Sequence, residues 1–484
     1  MDFKIGIIGA GFAGLVAALR LKKNNIHSFV IFEKSDDLGG TWRDNIYPGC
    51  ACDVASNLYS FADEPNPRWS HKYSGQEEIW NYMKDVVKRN HLQSHIRFNT
   101  NIVEAKYQED VALWQVKDQH GHITLVKLLI AGLGPLNRPK FPAIENMDGF
   151  QGKIMHSAIW DKNYDLKGKR VAVVGTGASA IQVIPNIAPQ VKSLTVFQRT
   201  PGWVAFRHDH KISALTQTIY EKLPIIFRIR RELEFWSNEF FGLGFLGNAT
   251  INQLMKWISS RKLNKEVKDP ATREKLRPQF KVGCKRILRS DDYYPTFNLP
   301  HVELVTAPIK AFTNNAMVTE AGNAYELDAV IFCTGFNVAD MNFPISVKGR
   351  NGLDLVENWK QNGGIAYKGT TVSGFPNFCV LMGPNTGLGH NSVVHMMESQ
   401  MDFIMQYFRQ LEKLGLKAML DPKAELQEQY NKTIQERLNG TVWSSGCKSW
   451  YLNEKGYNNT IYPGLNSNFR KTMQRFSLAE FNHT

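Results

Sequence analysis

Two glycine-rich turns, each between a strand-like and a helix-like segment, constrain the fold of this chain more than any other feature. The first is Gly9-Ala-Gly11-Phe-Ala-Gly14, after the apolar run that starts at Phe3, and the second is Gly175-Thr-Gly177-Ala-Ser-Ala180, 166 positions later. A strand, a glycine turn, a helix and a second strand form a dinucleotide-binding unit. One such match is weak evidence, but two in the required context predict an α/β fold with two Rossmann-like units.

The residue that ends the second strand of each unit distinguishes the two nucleotides. Glu33 lies 24 positions after Gly9, and Arg199 lies 24 positions after Gly175. A carboxylate at this place accepts hydrogen bonds from a ribose diol and repels a 2′-phosphate, whereas an arginine does the reverse. The first unit is therefore predicted to hold FAD or NAD, and the second NADP.

Composition narrows the class of protein. The 484 residues include 43% hydrophobic and 21% charged side chains, which predicts a folded globular chain. No apolar run reaches the roughly 18 residues of a membrane-spanning helix. The net charge of +13 fits an anionic ligand, a nucleic acid or a membrane surface and does not choose among them. The six cysteines show no zinc-binding spacing, so we predict no metal site and expect reduced thiols in a cytoplasmic protein.

Two further segments point to oxygen chemistry. Phe150-Gln-Gly152-Lys-Ile-Met-His156-Ser-Ala-Ile-Trp160-Asp161 has the spacing F-x-G-x-x-x-H-x-x-x-W-[PD], and a second segment runs from Gly39-Gly40-Thr-Trp42 through Tyr47-Pro48-Gly49 to Asp53. Both resemble fingerprints of type I Baeyer-Villiger monooxygenases, in the flavin-containing monooxygenase superfamily. The resemblance extends from Phe3 to about Pro463. Related enzymes that oxidise amines and sulfides usually lack the Trp-Asp ending, so the resemblance favours ketone oxidation.

The resemblance also implies roles for single residues. Arg286 is similar to the family's arginine beside the flavin, and Asp53 to the carboxylate near it, so we expect these two as the catalytic residues. From the sequence alone, Asp53 could instead cap a helix. Lys285 resembles the lysine that reaches the NADP 2′-phosphate, and Trp450 the tryptophan that closes over the nucleotide. His156 is expected in the interdomain linker, with a structural role and not as a general base.

The predicted cofactor-binding residues come from three parts of the chain. The first unit and the segments after it contribute Gly9, Gly11, Ala13, Gly14, Glu33, Thr41, Trp42, Asp53, Tyr59 and Val103. The second unit and its continuation contribute Gly175, Thr176, Gly177, Ala178, Ser179, Ala180, Arg199, Thr200 and Lys285. The C-terminal part contributes Trp450.

These observations together predict two Rossmann-like dinucleotide-binding domains with a helical insertion in the second. The FAD-binding domain comprises residues 1–140 and 337–484, and the NADP-binding domain comprises residues 141–336, with the insertion at 206–282. By resemblance, NADPH reduces FAD, and the reduced flavin uses O₂ to insert one oxygen atom next to a ketone carbonyl, giving an ester or lactone. We expect an apolar ketone and O₂ as partners, no nucleic acid, and a cytoplasmic location. The oligomeric state is not predicted.

Three alternatives stay open at this point. An S- or N-oxygenating flavin-containing monooxygenase would use the same two cofactors, and a flavoprotein sensor would bind both without turnover. A disulfide reductase is disfavoured, because Cys50 and Cys52 are poorly spaced for a reversible disulfide. The segment from Gly383 to Asn391 differs from the cyclohexanone-oxidising members and leaves the substrate class open.

The insertion at residues 206–282 carries 15 Lys/Arg and 8 Asp/Glu among many aromatic residues. The simplest interpretation is a solvated basic face over an aromatic core. The stretch from Ile225 to Phe245, with Arg228, Arg230 and Arg231 interleaved, could instead form a lid over the substrate entrance or rest on an anionic membrane surface. A peripheral membrane contact therefore stays open as a hypothesis.

Overall fold

A computed structural model describes residues 1–337, 343–447, 449–453 and 456–484. The strands are β1 Phe3–Ile8, β2 Phe29–Phe32, β3 Ile96–Arg97, β4 Ile102–Gln108, β5 Leu113–Asp118, β6 Ile123–Ala131, β7 Lys153–His156, β8 Arg170–Val174, β9 Ser193–Phe197, β10 Val204–Ala205, β11 Leu288–Arg289, β12 Val302–Val305, β13 Ile309–Phe312, β14 Ala316–Thr319, β15 Ala324–Glu326, β16 Ala329–Phe332, β17 Ser346–Lys348, β18 Phe378–Val380, β19 Leu420–Pro422 and β20 Phe481–His483. The helices are α1 Phe12–Lys23, α2 Thr41–Asp44, α3 Gln76–Arg89, α4 Ala180–Ile187, α5 Ala214–Lys222, α6 Pro224–Phe245, α7 Ala249–Glu266, α8 Pro270–Lys275, α9 Tyr293–Thr296, α10 Leu355–Asn362, α11 Val393–Leu414, α12 Ala424–Leu438 and α13 Asn466–Met473.

The larger sheet is built around the first glycine unit. Its strands run in the order β17-β4-β5-β6-β1-β2-β3, and β18 also pairs with β6. β1 lies parallel to both β2 and β6, with Ile7 opposite Ile31 on one side and Ile130 on the other. These three isoleucines are fully buried. A parallel strand covered on both faces needs a continuous apolar run, which explains the uninterrupted sequence at the end of β1.

The second glycine unit forms a separate five-stranded sheet. Its order is β12-β9-β8-β16-β7, and every neighbouring pair is parallel. α4 follows β8 directly after the glycine turn, as α1 follows β1. The predicted α/β fold with two Rossmann-like units is therefore confirmed. His156 is the last residue of β7 and is buried, so the expectation that it lies in a linker is wrong.

The segment between the strands β10 and β11 is mostly helical. It contains α5, α6, α7 and α8, and α6 contacts both α5 and α7. Polar side chains on α6 reach the rest of the protein, because Arg231 donates hydrogen bonds to the backbone oxygens of Asn57 and Ser60. Arg231 is therefore a buried structural contact and not part of a solvated basic face. Among the helices in the described ranges, none is long and apolar enough to cross a membrane.

Candidate active site

The first glycine turn has the shape of a nucleotide cradle. A Cβ atom on Gly14 would lie 1.9 Å from the backbone oxygen of Gly9, so only glycine permits this packing of α1 against the turn. A Cβ on Gly11 would find its nearest neighbour, the Gly40 Cα, at 3.8 Å. The middle glycine therefore leaves free space at the start of α1, where backbone amides and the helix dipole favour a pyrophosphate. This geometry fits FAD.

Glu33 is fixed beside this turn at the end of β2. One carboxylate oxygen accepts a hydrogen bond from the Ala10 amide at 2.8 Å, and the other accepts from the Ser35 amide and from Arg43 Nη1, both at 3.1 Å. The side chain is buried. Each oxygen of a carboxyl group can accept more than one hydrogen bond, which suits the ribose hydroxyls of a nucleotide on the adjacent cradle.

The glycine-tryptophan segment packs against the same turn. Gly40 lies so close to Gly11 that a Cβ on Gly40 would be 3.3 Å from the Gly11 Cα. Trp42 is buried and donates a hydrogen bond from Nε1 to the Tyr59 hydroxyl at 3.2 Å. Trp42, Tyr59 and the first turn thus occupy one region, as the predicted FAD site requires.

The second glycine turn, like the first, leaves free space beside its middle glycine. Gly175 has a positive φ of 113°, and a Cβ there would lie 2.5 Å from the backbone oxygen of Cys333. A Cβ on Gly177 would have no atom of the described residues within 4 Å. The Thr176 hydroxyl donates a hydrogen bond to the backbone oxygen of Thr200 at 3.0 Å, which joins the turn to the segment that follows β9. The space beside Gly177 fits the pyrophosphate of a second nucleotide.

Lys285 lies within electrostatic range of Arg199, which comes two residues after the strand β9 of the second unit. Burial lowers the pKa of Lys285, and the positive charge of Arg199 lowers it further. Two positive charges close together destabilise each other, so an anionic ligand beside them would stabilise both. The pair has the chemistry to bind the 2′-phosphate of NADP.

Arg286 and Asp53 form a bidentate ion pair. Arg286 Nη2 donates to Asp53 Oδ1 and Oδ2 at 2.8 Å, and Arg286 Nε donates to Oδ2 at 3.1 Å. Burial alone would raise the pKa of Asp53, but the charge and hydrogen bonds of Arg286, with the charge of Arg289, hold it below its usual value. The charge of Asp53 in turn raises the pKa of Arg286 against the effect of burial. The site therefore keeps a permanently charged guanidinium in a fixed orientation.

Several residues around this pair were not predicted from the sequence. The buried Tyr451 hydroxyl has no hydrogen-bond partner among the described residues, and burial raises its pKa to about 12. Arg289 donates to the Tyr73 hydroxyl at 3.0 Å. Arg207 donates from Nη2 to the backbone oxygens of Cys52 and Tyr73. Tyr451 is adjacent in the sequence to Trp450, and Arg289 is three positions after Arg286. This closeness to predicted site residues is the signal by which Tyr451 and Arg289 could have been predicted.

The other predicted residues are distributed as follows. Trp450 is 43% exposed, and its ring centroid lies 4.3 Å from that of Tyr451. Val103 is exposed near the start of β4. The positions at helix starts or beside the turns are Ala13, Thr41, Ala178, Ser179 and Ala180. Their contacts with cofactors stay predictions.

A disulfide bond joins Cys284 to Cys447, with their Cα atoms 6.3 Å apart. The expectation that all cysteines are reduced thiols is therefore wrong for this pair, while Cys50, Cys52, Cys333 and Cys379 are free. The two bonded residues are 163 positions apart in the sequence, so local spacing could not reveal the pairing. The bond connects the segment of Lys285 and Arg286 to the segment of Trp450.

A buried polar cluster connects α6 to the segment ahead of α11. Glu239 accepts hydrogen bonds from His390 at 3.1 Å, from the Asn391 side chain at 2.9 Å and from the Ser467 amide at 3.0 Å. Burial alone would raise the pKa of Glu239, but these hydrogen bonds and the charge of His390 lower it to about 2. Gly242, one turn further along α6, faces the His390 ring, because a Cβ there would lie 2.6 Å from it.

Comparison with known proteins identifies the class that this fold and site define. The sequence model of the family described as "Flavin-binding monooxygenase-like" matches residues 2–350. The chain belongs to this family, and the predicted resemblance is confirmed. It is a flavoprotein monooxygenase with FAD and NADPH as its cofactors.

Individual relatives narrow the class further. The chain is 42% identical to a Baeyer-Villiger monooxygenase of Streptomyces coelicolor over 99% of this chain and 92% of that protein. It is also 42% identical to a Baeyer-Villiger monooxygenase of Pseudomonas aeruginosa over 99% of this chain and 91% of that protein. The closed crystal structure of cyclohexanone monooxygenase matches with a TM-score of 0.88, 28% identity and coverage of 100% of this chain and 99% of the other. Oxidised steroid monooxygenase bound to NADP matches with a TM-score of 0.87 and 28% identity over 98% and 97%. The enzyme is of the Baeyer-Villiger type.

Proposed function

We propose that this enzyme inserts one oxygen atom of O₂ next to the carbonyl group of an apolar ketone, giving an ester or a lactone. The bidentate pair of Arg286 and Asp53 carries the proposal, because negative charge develops on oxygen during such a reaction and needs a fixed cation in a water-poor site. Bound FAD, once reduced by NADPH, supplies the electrons that activate O₂.

The residues of this chain have distinct tasks in the proposal. Asp53 orients the guanidinium of Arg286 and stays ionised at neutral pH, since its pKa lies below its usual value. Arg286 stabilises negative charge on the reacting oxygen atoms. Tyr451 keeps its proton at neutral pH and can donate a hydrogen bond to an oxygen atom brought beside Arg286.

The cofactor-binding residues follow from the two cradles. We propose that Gly11, Glu33, Trp42 and Tyr59 contact FAD, and that Gly177, Arg199 and Lys285 contact NADP, with Arg199 and Lys285 on its 2′-phosphate. The electrostatic proximity of the two cations supports the second assignment. Trp450 is exposed enough to move over a bound nucleotide.

We also propose the domain division that the sequence suggests. Residues 1–140 and 337–484 form the FAD-binding domain, and residues 141–336 form the NADP-binding domain with its insertion at 206–282. The sheets support this division, since β17 and β18 return to the sheet of β1, and β16 lies beside β8.

A cytoplasmic location is proposed because four of the six cysteines are free thiols, as is usual in a reducing compartment. In that reducing compartment a cysteine pair such as Cys284 and Cys447 is more often a transient or redox-sensing bond than a permanent one. Trapping of thiols in intact cells before lysis tests the location, because a fully oxidised pair at all times would contradict it.

A panel of linear, cyclic and aryl ketones, with one thioether, tests the function. We expect ketone-dependent oxidation of NADPH, matched by O₂ uptake and by formation of ester or lactone. A sulfoxide without any ester would instead support S-oxygenation, and nucleotide binding without turnover would support a sensor. Product analysis by chromatography and mass spectrometry separates these outcomes.

A further inference from the structure

Helix α6 has apolar side chains on two opposite faces. Phe227, Phe235 and Phe245 are buried against the protein. The other face carries an outer stripe, which we define as Ile225, Ile229, Leu233, Trp236, Phe240 and Leu243. Spacings of three or four residues place these six side chains along one line of the helix. A helix on a protein surface normally turns a polar face to water, so this stripe needs an explanation.

The neighbouring helix α7 adds to the exposed apolar surface. Leu254 and Trp257 are 41% and 57% exposed, and Trp236 on α6 is 56% exposed. Aromatic side chains bury roughly 150–250 Å² each, so the half-exposed Trp236, Phe240 and Trp257 alone present on the order of 300 Å² of apolar surface. That value already reaches the size of the largest apolar patch on a typical monomer, and such patches mark interaction sites.

The charged side chains of α5, α6 and α7 indicate the kind of partner that would bind to the stripe. Most acidic side chains of α5, α6 and α7 are already paired, as Glu221 is with Arg68, Glu234 with Arg230, and Glu266 with Lys262. Glu239 is buried. The exposed charges of these helices that form no ion pair among the described residues are Lys222, Arg228, Glu232, Lys256, Arg261 and Lys265. Five of these six are cations, so the unpaired exposed charge on the helices that carry the stripe is predominantly positive.

We propose that the helices α6 and α7 dock on an anionic lipid bilayer. Amphipathic helices that lie on membranes combine aromatic and aliphatic side chains with Lys and Arg in this way, and each cation near the surface strengthens binding roughly fivefold. A second copy of the chain fits less well, because an interface between identical copies brings the same surfaces together and would place these cations near one another. The cytoplasmic leaflet of cell membranes is anionic.

The docking surface is firmly attached to the rest of the enzyme. Arg231 and Glu239 lie on the inner side of α6. Both are buried, and both form hydrogen bonds with residues of the proposed FAD-binding domain. The stripe and its anchors therefore belong to one helix, so a bilayer that held the stripe would hold the whole enzyme. The proposal goes beyond the oxygenation reaction and does not depend on which substrate is oxidised.

Sedimentation of the holoenzyme with phospholipid vesicles tests the proposal. Vesicles of phosphatidylcholine alone are compared with vesicles that contain about one quarter phosphatidylserine, at about 50 mM and about 500 mM salt. We expect binding to the anionic vesicles at low salt, with at least a tenfold loss of affinity at high salt or without phosphatidylserine. An enzyme that stays in the supernatant under all four conditions overturns the proposal.

Variants assign the binding to the stripe. Trp236→Glu with Phe240→Glu is expected to reduce vesicle affinity at least tenfold, and Lys256→Glu with Arg261→Glu to remove the preference for phosphatidylserine. Leu416→Glu is the control, because Leu416 is an exposed apolar side chain outside the insertion. Retained flavin absorbance and ketone oxidation in detergent-free buffer show that each variant is folded. Equal binding by all variants, or a dimer that dissociates only in the stripe variant, would contradict a membrane-docking role.

Discussion

Arg286 and Asp53 are 233 positions apart in the sequence, yet the guanidinium holds both carboxylate oxygens. Asp53 follows the segment that packs on the first glycine turn, and Arg286 follows Lys285, which approaches Arg199 at the second nucleotide unit. A single ion pair therefore joins the two predicted cofactor sites. A bidentate pair of an arginine and a carboxylate fixes the orientation of the guanidinium as well as its charge. The pair can therefore hold the positive charge at a defined position.

Replacement of Arg286 by alanine should separate the two halves of the reaction. Hydride transfer needs only aligned nucleotide and flavin, so we expect flavin reduction by NADPH to stay within about tenfold of the wild type. Loss of one charge-stabilising donor costs about 10²–10³ in rate, so ester formation should fall by at least that factor. Anaerobic stopped-flow absorbance and product chromatography measure the two steps. Arg286→Lys, which keeps the charge but not the fork, should be intermediate, and a normal ester yield from Arg286→Ala would refute the assigned role.

The sequence predicts the parts of this protein that depend on local pattern. The two glycine turns appear where their motifs indicate, because their geometry is set by steric contacts such as that between Gly14 and Gly9. The pair of Arg286 and Asp53 was expected only through the resemblance, since no local rule relates residues so far apart.

Other features depend on how distant segments pack. Tertiary structure determines the bond between Cys284 and Cys447 and the burial of Arg231. The sequence predicts the opposite in both cases, namely reduced thiols and a solvated basic face. The sequence shows that the stretch forming α6 is rich in apolar and aromatic residues. The periodicity of the helix does not tell which of its two apolar faces is buried.

Arg199 should determine the preference for NADPH over NADH. A hydrogen bond to a charged group contributes about 1.5–3 kcal/mol, so Arg199→Ala is expected to lower the ratio of kcat/KM for NADPH to that for NADH roughly 10- to 100-fold. Lys285→Ala should act in the same direction. Lys192→Ala provides a control, because Lys192 is exposed outside this turn. An unchanged ratio in Arg199→Ala would exclude the proposed contact with the 2′-phosphate.

Glu239 should stabilise the folded protein in a pH-dependent way. Its pKa is lowered from 4.5 to about 2, so the stabilisation is fully present above about pH 4.5 and is lost as the pH falls through 2. The shift corresponds to roughly 3 kcal/mol at neutral pH. We expect Glu239→Gln to lower the free energy of unfolding at pH 7 and to differ less from the wild type at pH 3.

Urea unfolding of both proteins at the two pH values measures this effect. Glu232→Gln is the matched control, since Glu232 lies on the same helix but is exposed. It should change stability little at either pH. A Glu239→Gln penalty that is equal at pH 7 and pH 3 would mean that the carboxylate contributes through packing and not through its charge.

The disulfide bond between Cys284 and Cys447 should stabilise the folded enzyme by restricting the unfolded chain. Disulfides typically contribute 2–4 kcal/mol, so Cys447→Ser is expected to lower the free energy of unfolding by about that amount. Dithiothreitol should lower the melting temperature of the wild type and leave that of Cys447→Ser unchanged, because the variant has no bond to reduce. Thiol titration in denaturant should find four free thiols in the oxidised wild type and six after reduction. Six thiols before reduction would show that the purified enzyme lacks the bond.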